Sequence, residues 1–375
     1  MTILKHELRK ILLFPAIIGF VVLALAVNIA MVASMRNSYA NFIADTSRIT
    51  GINLGAEFDD RVVGLEPSLY ADLLRLQTAG RIDVLDGYTT GYIADSAVAR
   101  LELSGLSERL MRRKYERFQL AVDARQAAGD SMTLYFAEAT FWRHEALFGY
   151  TMGLLLFQGI ILAALIMLLS LGYETSAKTD FVVYSTKVGR KISRHKLIAG
   201  IIVGIGIYAL LAAVTLSLYF ALNPMGGIWG SSVSSGFNFV RDGFIARPFV
   251  TWRSFNVAEY LFASIGVSFA LVLCFSLMAY AIGLWLKNSY VGFLVIVAVN
   301  GLLFLLPFYS PIAMLNFTIT QTPIWMVMMR GLWFTDGGSN VVWPHFETVG
   351  VIGSLTVLAI IGAWATARFN RRNLA

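Results

Sequence analysis

The residue types that usually carry out catalysis or bind metals are few in this chain and far apart. The four histidines are His6, His144, His195 and His345, and the single cysteine is Cys274. No metal-binding histidine motif, nucleophile elbow or phosphate-binding glycine loop occurs. One cysteine forms neither an intrachain disulfide nor a thiolate metal cluster. We therefore expect a protein that is not an enzyme and has no cofactor or metal site.

The most informative charged residues lie in the segment 172–196, GYETSAKTDFVVYSTKVGRKISRHK. An apolar repeat at i, i+4, i+8 and i+11 predicts a short amphipathic helix there. The members of this repeat are Tyr173, Ala177, Phe181 and Tyr184. Glu174 precedes Lys178 by four residues, the favourable order for an ion pair on a helix. The segment is either a lever that docks on a soluble partner or a basic connector that faces lipid.

Six long runs without a charged side chain make up most of the remaining chain. The first, 11–32, reaches about 33 Å as a helix, enough to cross the ~30 Å hydrocarbon core of a bilayer. The others are 148–171, 197–221, 260–286, 290–315 and 348–367. The chain is 57% hydrophobic and 14% charged, and soluble domains carry ~25% charged residues. The sequence predicts an all-α polytopic membrane protein with six transmembrane helices.

Lysine and arginine near the ends of these runs predict the orientation. The segments that contain the N-terminus, the loop 172–196, Lys287 and the C-terminus hold 13 basic residues, and the two short loops 222–259 and 316–347 hold four. Basic residues accumulate on the cytoplasmic side of a membrane. We expect both termini in the cytoplasm, in a multi-pass protein of a bacterial cytoplasmic membrane. The net charge of +7 then reflects lipid contacts, and no nucleic acid is expected.

The segments between and beside these runs each have a predicted structure. Residues 1–10 are predicted to form an amphipathic helix at the membrane interface, with Leu4 and Leu8 in the lipid and Lys5 and Arg9 at the lipid headgroups. Residues 33–147 predict a large, mainly helical extracytoplasmic domain, either a cap packed on itself or a binding surface. Spacing in its helix at about 97–127 places Lys114 away from the apolar stripe. The segment 222–259 is an outer loop, 316–347 an outer or re-entrant segment, and 368–375 a basic cytoplasmic tail.

Two amides lie at membrane depth in the predicted spans. Asn28 is in the first span and Asn300 is in the fifth. Either side chain faces a substrate path or holds neighbouring helices together by hydrogen bonds. No Asp, Glu, Lys, Arg or His interrupts the six runs, and ion-coupled transporters usually carry such groups at membrane depth. Any energy for transport must therefore come from another polypeptide.

The order of these motifs resembles ABC-2-type transporter permeases. The similarity lies in Glu174 with the Tyr-Ser-Thr-Lys-Val-Gly-Arg stretch at 184–190, and in the Arg-His-Lys that enters the third span at 194–196. The tail at 367–374, the amphipathic start, the six spans and the short connection between the fourth and fifth spans are similar too. The resemblance covers about 1–32 and 148–375, and the long 33–147 segment departs from the shortest family members.

The resemblance implies the transmembrane subunit of an ABC exporter. Two permeases form a homodimer or heterodimer, and each docks on a cytoplasmic ATPase subunit that powers alternating access. The coupling residues implied are Glu174, Lys178, Phe181, Tyr184, Lys187 and Arg190. The apolar spans favour a hydrophobic or amphiphilic substrate such as an antimicrobial peptide, a drug or a lipid. The family also implies a pair of short helices before the last span, at 311–334.

Two other classes stay open on the sequence alone. A membrane sensor would bind a peptide with its 33–147 domain, but such a protein usually needs a cytoplasmic output domain, and the longest cytoplasmic segment is about 25 residues. A polytopic enzyme acting on lipid needs clustered ionisable groups, which the predicted spans lack. A neighbouring gene for an ATPase would favour the exporter, and a lone histidine kinase would favour the sensor.

The predicted orientation can be tested by cysteine labelling. Asp60→Cys or Tyr115→Cys should react with an impermeant thiol reagent added outside intact cells, and Lys187→Cys should not. The reason is the uneven distribution of basic residues between the loops. Labelling of Lys187→Cys from outside would contradict the six-span arrangement.

Overall fold

A computed structural model describes residues 2–79, 81, 83–135, 142–185, 189–235, 240–241, 244–245, 248–286 and 288–371. The fold is almost entirely helical. In chain order the helices are α1 (Thr2–Leu12), α2 (Pro15–Ser34), α3 (Ser38–Thr50), α4 (Ala56–Val63), α5 (Leu69–Ala79), α6 (Gly91–Arg100), α7 (Gly105–Ala127), α8 (Trp142–Ser176), α9 (Asp180–Ser185), α10 (Ile192–Leu222), α11 (Val257–Trp285), α12 (Ser289–Tyr309), α13 (Ala313–Ile319), α14 (Pro323–Met328) and α15 (Phe346–Arg371). Strands β1 (Val240–Arg241) and β2 (Phe244–Ile245) pair antiparallel.

Six of these helices are long and apolar enough to cross a membrane. They are α2, α8, α10, α11, α12 and α15, and this set fits a multi-pass membrane protein. The prediction of six apolar spanning helices is confirmed. Within α8 the stretch Glu145–Thr151 is π-helical, a local widening that often marks a functional position in a helix.

Local sequence explains where the spanning helices begin. Pro15 stands at the first turn of α2, where its missing N–H costs nothing. Asn256 and Glu259 form a reciprocal capping box at the start of α11, which satisfies two backbone donors. The Asn288 side chain accepts from the N–H groups of Tyr290 and Val291. α12 therefore begins immediately after α11, and Lys287 between them lies outside the described residues.

The bundle has two ends, which we name after the helices there. At the α1 end, α1 and α9 lie beside the last turns of α8 and the first turns of α10. At the α7 end lie the helices α3 to α7 and the connections before α11 and α15. The two short helices α13 and α14 lie within 311–334. Pro323 begins α14.

The segment between α2 and α8 is divided between two hydrophobic cores. Its first half joins the core of the bundle through buried residues such as Ile43, Phe58 and Leu74. Its second half, α6 and α7, forms a separate core. This second core also takes Val250 and Phe317 from later parts of the chain. The 33–147 segment is therefore not packed on itself alone.

The helix expected over 97–127 is broken, because α6 ends at Arg100 and α7 begins at Gly105. The prediction that Lys114 lies away from the apolar, buried side of this helix is wrong. Its side chain is fully buried, and its Nζ donates to the carbonyl oxygens of Gly338 and Val341. Its Nζ also lies 3.9 Å from a carboxylate oxygen of Asp336. Spacing alone gave no sign of these acceptors, which are more than 220 residues away in sequence.

The neighbouring Tyr115 is buried as well, and its hydroxyl donates to Asp336 at 3.0 Å. A cysteine at 115 would therefore be protected from a reagent by the fold itself. Glu116 is exposed, and together with the exposed Asp60 it is the better labelling position. Cys274 is buried, so the native thiol needs no replacement.

Replacing Lys114 should destabilise the protein strongly. Lys114→Met should cost about 3–5 kcal/mol of the free energy of unfolding, because the buried Asp336 loses its cation and two carbonyl groups lose a donor. Arg113→Met is the matched control, since Arg113 is the exposed neighbour on the same helix. The measurement is thermal unfolding of both variants in detergent. Equal melting temperatures for the two variants would contradict the assignment.

Candidate functional site

The predicted coupling helix is divided in two. Helix α8 ends at Ser176, with Ala177 as its C-terminal cap, and α9 begins at Asp180. Lys178 lies between them with a φ of 55°, so the helix cannot run through this position. On α9, Phe181 is 67% exposed and Val182 is 69% exposed. The structure therefore has a short helix with two exposed apolar side chains at the α1 end.

The other implied coupling residues are only partly described. Lys187 lies outside the described residues, and the side chains of Tyr184 and Arg190 do so too. Their contact with an ATPase subunit stays a prediction.

The expected ion pair of Glu174 with Lys178 is wrong. Glu174 is buried on the last turns of α8 and accepts from Lys10 Nζ at 2.7 Å. Its other carboxylate oxygen accepts from Lys196 Nζ, which also donates to the Ser170 carbonyl. Lys178 is exposed beyond the end of the helix. Helix α8 turns Glu174 inward, toward cations contributed by two other helices.

A second carboxylate completes this ionic cluster. Glu7 on α1 is buried and lies 3.3 Å from Lys10 Nζ. The ammonium of Lys10 also lies 4.0 Å from the centroid of the Tyr173 ring. The cluster is Glu7, Lys10, Glu174 and Lys196. It carries two charges of each sign, and it joins α1, α8 and α10.

Helix α1 packs against the bundle, whereas the sequence predicted that its apolar face lies in lipid. Leu4 and Leu8 are half-buried against the main core, and Ile11 is buried in it. Lys5 and Arg9 are exposed, so their contact with lipid headgroups stays a prediction. The ionic cluster and this apolar face hold α1 against the bundle.

Asn28 holds helices together. It is buried, and it exchanges two hydrogen bonds with Gln158, of 3.0 and 2.8 Å. Its Nδ2 also donates to Thr215 at 2.9 Å. The three residues lie on α2, α8 and α10. Their polar groups satisfy one another inside an apolar bundle, which favours the packing alternative for Asn28.

Asn300 has a different environment. Its Nδ2 donates to the Ile296 carbonyl at 2.8 Å, but its Oδ1 is buried without a hydrogen-bond partner. The side chain lines a cleft of about 290 Å³ between α8, α11, α12 and α14. The other lining residues are Gly301 and residues with apolar side chains, which include Phe157, Ile161, Phe293, Val297, Phe304 and Met328. This cleft, which we name the Asn300 cleft, leaves the substrate-path alternative open for Asn300.

Arg330 lies near the α7 end of this cleft. Its Nε donates to the Gly149 carbonyl at 3.0 Å, and its guanidinium lies where a side chain at Gly153 would be. Burial lowers the pKa of Arg330 and the nearby Glu145 partly offsets this, but an arginine stays protonated. Arg330 was not identified from the sequence, and the four-residue spacing of Gly149 and Gly153 is the signal that could have indicated this close approach.

A buried polar group at the α7 end fixes the start of α8. The Arg143 guanidinium donates to Asn41 Oδ1 at 2.7 Å and to the Pro224 carbonyl. The Tyr135 hydroxyl lies 2.9 Å from His144 Nδ1. Burial raises the pKa of Tyr135 well above its ordinary value, so the hydroxyl keeps its proton. In the described part of the chain, no three His, Cys, Asp or Glu side chains are grouped to hold a metal.

Comparison with known proteins gives no match. No protein-family model, no curated protein and no solved structure matches this chain. Three features of the chain bear on its function: the exposed apolar residues of α9, the ionic cluster behind them, and the Asn300 cleft.

The ionic cluster predicts how the protein responds to loss of its central carboxylate. Glu174→Leu should cost about 3–5 kcal/mol of the free energy of unfolding, because Lys196 is left buried without a counter-charge. Lys178→Gln, at an exposed position, is the control. Adding Lys196→Met to Glu174→Leu should restore part of the loss, since the buried charge is removed. Thermal unfolding that is unchanged by Glu174→Leu would refute the role of the cluster.

Proposed function

We propose that this chain is the membrane-spanning permease subunit of an ATP-driven transporter of the ABC type. It moves a hydrophobic or amphiphilic substrate by alternating access, and a separate cytoplasmic ATPase subunit supplies the energy. The observation that carries the proposal is that the short helix α9 exposes the apolar side chains of Phe181 and Val182. Large apolar side chains exposed together mark a contact with another protein or with a membrane, and we assign this pair to a protein contact.

The connection of α9 to the bundle supports this role. Only three residues separate α9 from the end of α8, and Glu174 near that end is bound to α1 and α10. A push on α9 by an ATPase subunit would reach three helices at once through the ionic cluster. The chain has no phosphate-binding glycine loop of its own, so ATP hydrolysis belongs to the partner.

The proposal places the α1 end in the cytoplasm and the helices α3 to α7 outside the cell. The distribution of lysine and arginine supports this orientation. A second permease would cover part of α12, α2 or α15, which are the least buried of the six spanning helices. The Asn300 cleft would lie on the substrate path, because it is apolar and has one hydrogen-bond acceptor without a partner.

The docking role of α9 is tested by Phe181→Asp. The variant should keep its expression and melting temperature, because Phe181 has little contact with the rest of the chain. It should lose the co-purifying ATPase subunit and transport, since desolvating the new carboxylate in an interface costs several kcal/mol. Glu174 is left unchanged, because its substitution would disturb the buried cluster.

Val63→Asp is the control for this experiment. Val63 is 71% exposed on α4, at the opposite end of the bundle, and its substitution should leave ATPase association intact. Wild-type association of the ATPase subunit with Phe181→Asp would contradict the proposal. Tight ATP binding by the purified chain alone would contradict it as well.

A further inference from the structure

We propose that the Asn300 cleft binds an anionic lipid, with the lipid headgroup phosphate on Arg330 and an acyl chain in the cleft. The inference rests on the proposed function, because it names the substrate class of the same cleft. It goes beyond that proposal in assigning a charge to the substrate and a binding role to Arg330.

The first observation is that the guanidinium keeps free hydrogen-bonding capacity. Arginine has five N–H donors. Within the described ranges, one hydrogen bond of Arg330 is found, from Nε to the Gly149 carbonyl, and no ion pair joins Arg330 to a carboxylate. Glu145 acts on Arg330 only through space. A half-buried guanidinium with N–H groups to spare is suited to a phosphate, which it can bind in a bidentate manner.

The second observation is the position of Arg330 relative to the cleft. Its Cζ lies 5.9 Å from the centroid of the Phe157 ring, and this ring lines the cleft. Met328, two residues before Arg330, lines the cleft too. The charge therefore lies at the end of an apolar surface. This arrangement matches the two parts of an amphiphile, a charged head and an apolar chain.

The dimensions of the cleft agree with an acyl chain. Its lining residues on α12 run from Phe293 to Phe304, a rise of about 16 Å along the helix. This length is about half of the ~30 Å hydrocarbon core, so the cleft is long enough for one acyl chain. A chain that enters sideways from the leaflet would fill the cleft and bring its headgroup to Arg330.

A neighbouring cavity does not offer an alternative site for the anion. Arg330 also lines a space between α8 and α11 together with Ser264 and Ser268. Its volume is about 10 Å³, which is enough for one water molecule at most. A phosphate group does not fit there, so this cavity does not hold the headgroup.

The experiment compares two lipids that differ only in headgroup charge. The full chain is purified from detergent that contains equal amounts of dioleoyl-phosphatidylglycerol and dioleoyl-phosphatidylcholine, and the retained lipids are counted by mass spectrometry. Wild type should retain the anionic lipid preferentially. Arg330→Gln should reduce this preference by about tenfold, the effect of losing a hydrogen bond to a charged group. Arg253→Gln, at an exposed arginine of the same end, should not change it.

A second pair of variants tests the cleft independently of Arg330. Val297→Trp should reduce retention of both lipids, because Val297 lines the cleft. Leu294→Trp is the matched control, since Leu294 is 67% exposed on the same helix and does not line the cleft. This pair decides the question if Arg330→Gln does not fold. Unchanged retention of phosphatidylglycerol in Arg330→Gln, or in Val297→Trp, would overturn the inference.

The same preparations separate this inference from the proposed function. ATPase association without any preference for the anionic lipid would refute the lipid site and leave the permease role standing. An Arg330-dependent preference without ATPase association would support the lipid site and refute the permease role.

Discussion

A carboxylate buried between two ammonium groups has to be held by several segments at once, and Glu174 is held in this way. Lys10 comes from α1 and Lys196 from α10, so three helices meet at one acidic side chain. Ion pairs of this kind contribute little net stability compared with apolar packing, but breaking one partner is costly. The ionic cluster therefore fixes which helices lie together at the α1 end. Helix α9 and the first turns of α10 take their positions from it.

The bundle combines this ionic contact with an amide contact deeper in the same helices. Asn28 and Gln158 exchange hydrogen bonds between α2 and α8, and Thr215 adds α10. The two polar contacts hold α8 and α10 at two levels of the bundle. Helix α12 is joined to α8 by Ser289, whose hydroxyl donates to the Leu168 carbonyl at 2.9 Å, and of its described residues Gly292, Ile296 and Asn300 are buried. The two walls of the Asn300 cleft, α8 and α12, are therefore joined by a hydrogen bond near the α1 end, beyond the apolar residues that line the cleft.

The sequence was sufficient to predict the spanning helices, but it was insufficient to predict the polar contacts between them. Long charge-free runs leave few alternatives to a membrane-spanning helix, so all six were predicted. Glu174 was paired with Lys178, and Lys114 was placed away from the apolar stripe, because spacing along one helix says nothing about partners on another. Lys10 is 164 residues from Glu174, and the carbonyl acceptors of Lys114 are more distant still. For Asn28 the sequence showed the polar side chain but could not choose between packing and transport.

The π-helical stretch Glu145–Thr151 has a consequence for the register of α8. A π-helical turn accommodates one more residue than an α-helical turn. The residues before it, including Arg143 and His144, therefore face directions that an uninterrupted α-helix would not give them. Removing one residue from the stretch would rotate them by about 100° relative to Gly153 and Gln158. Evolution can thus alter the polar anchor at the α7 end and the amide contact within the bundle separately, by insertion or deletion of a single codon.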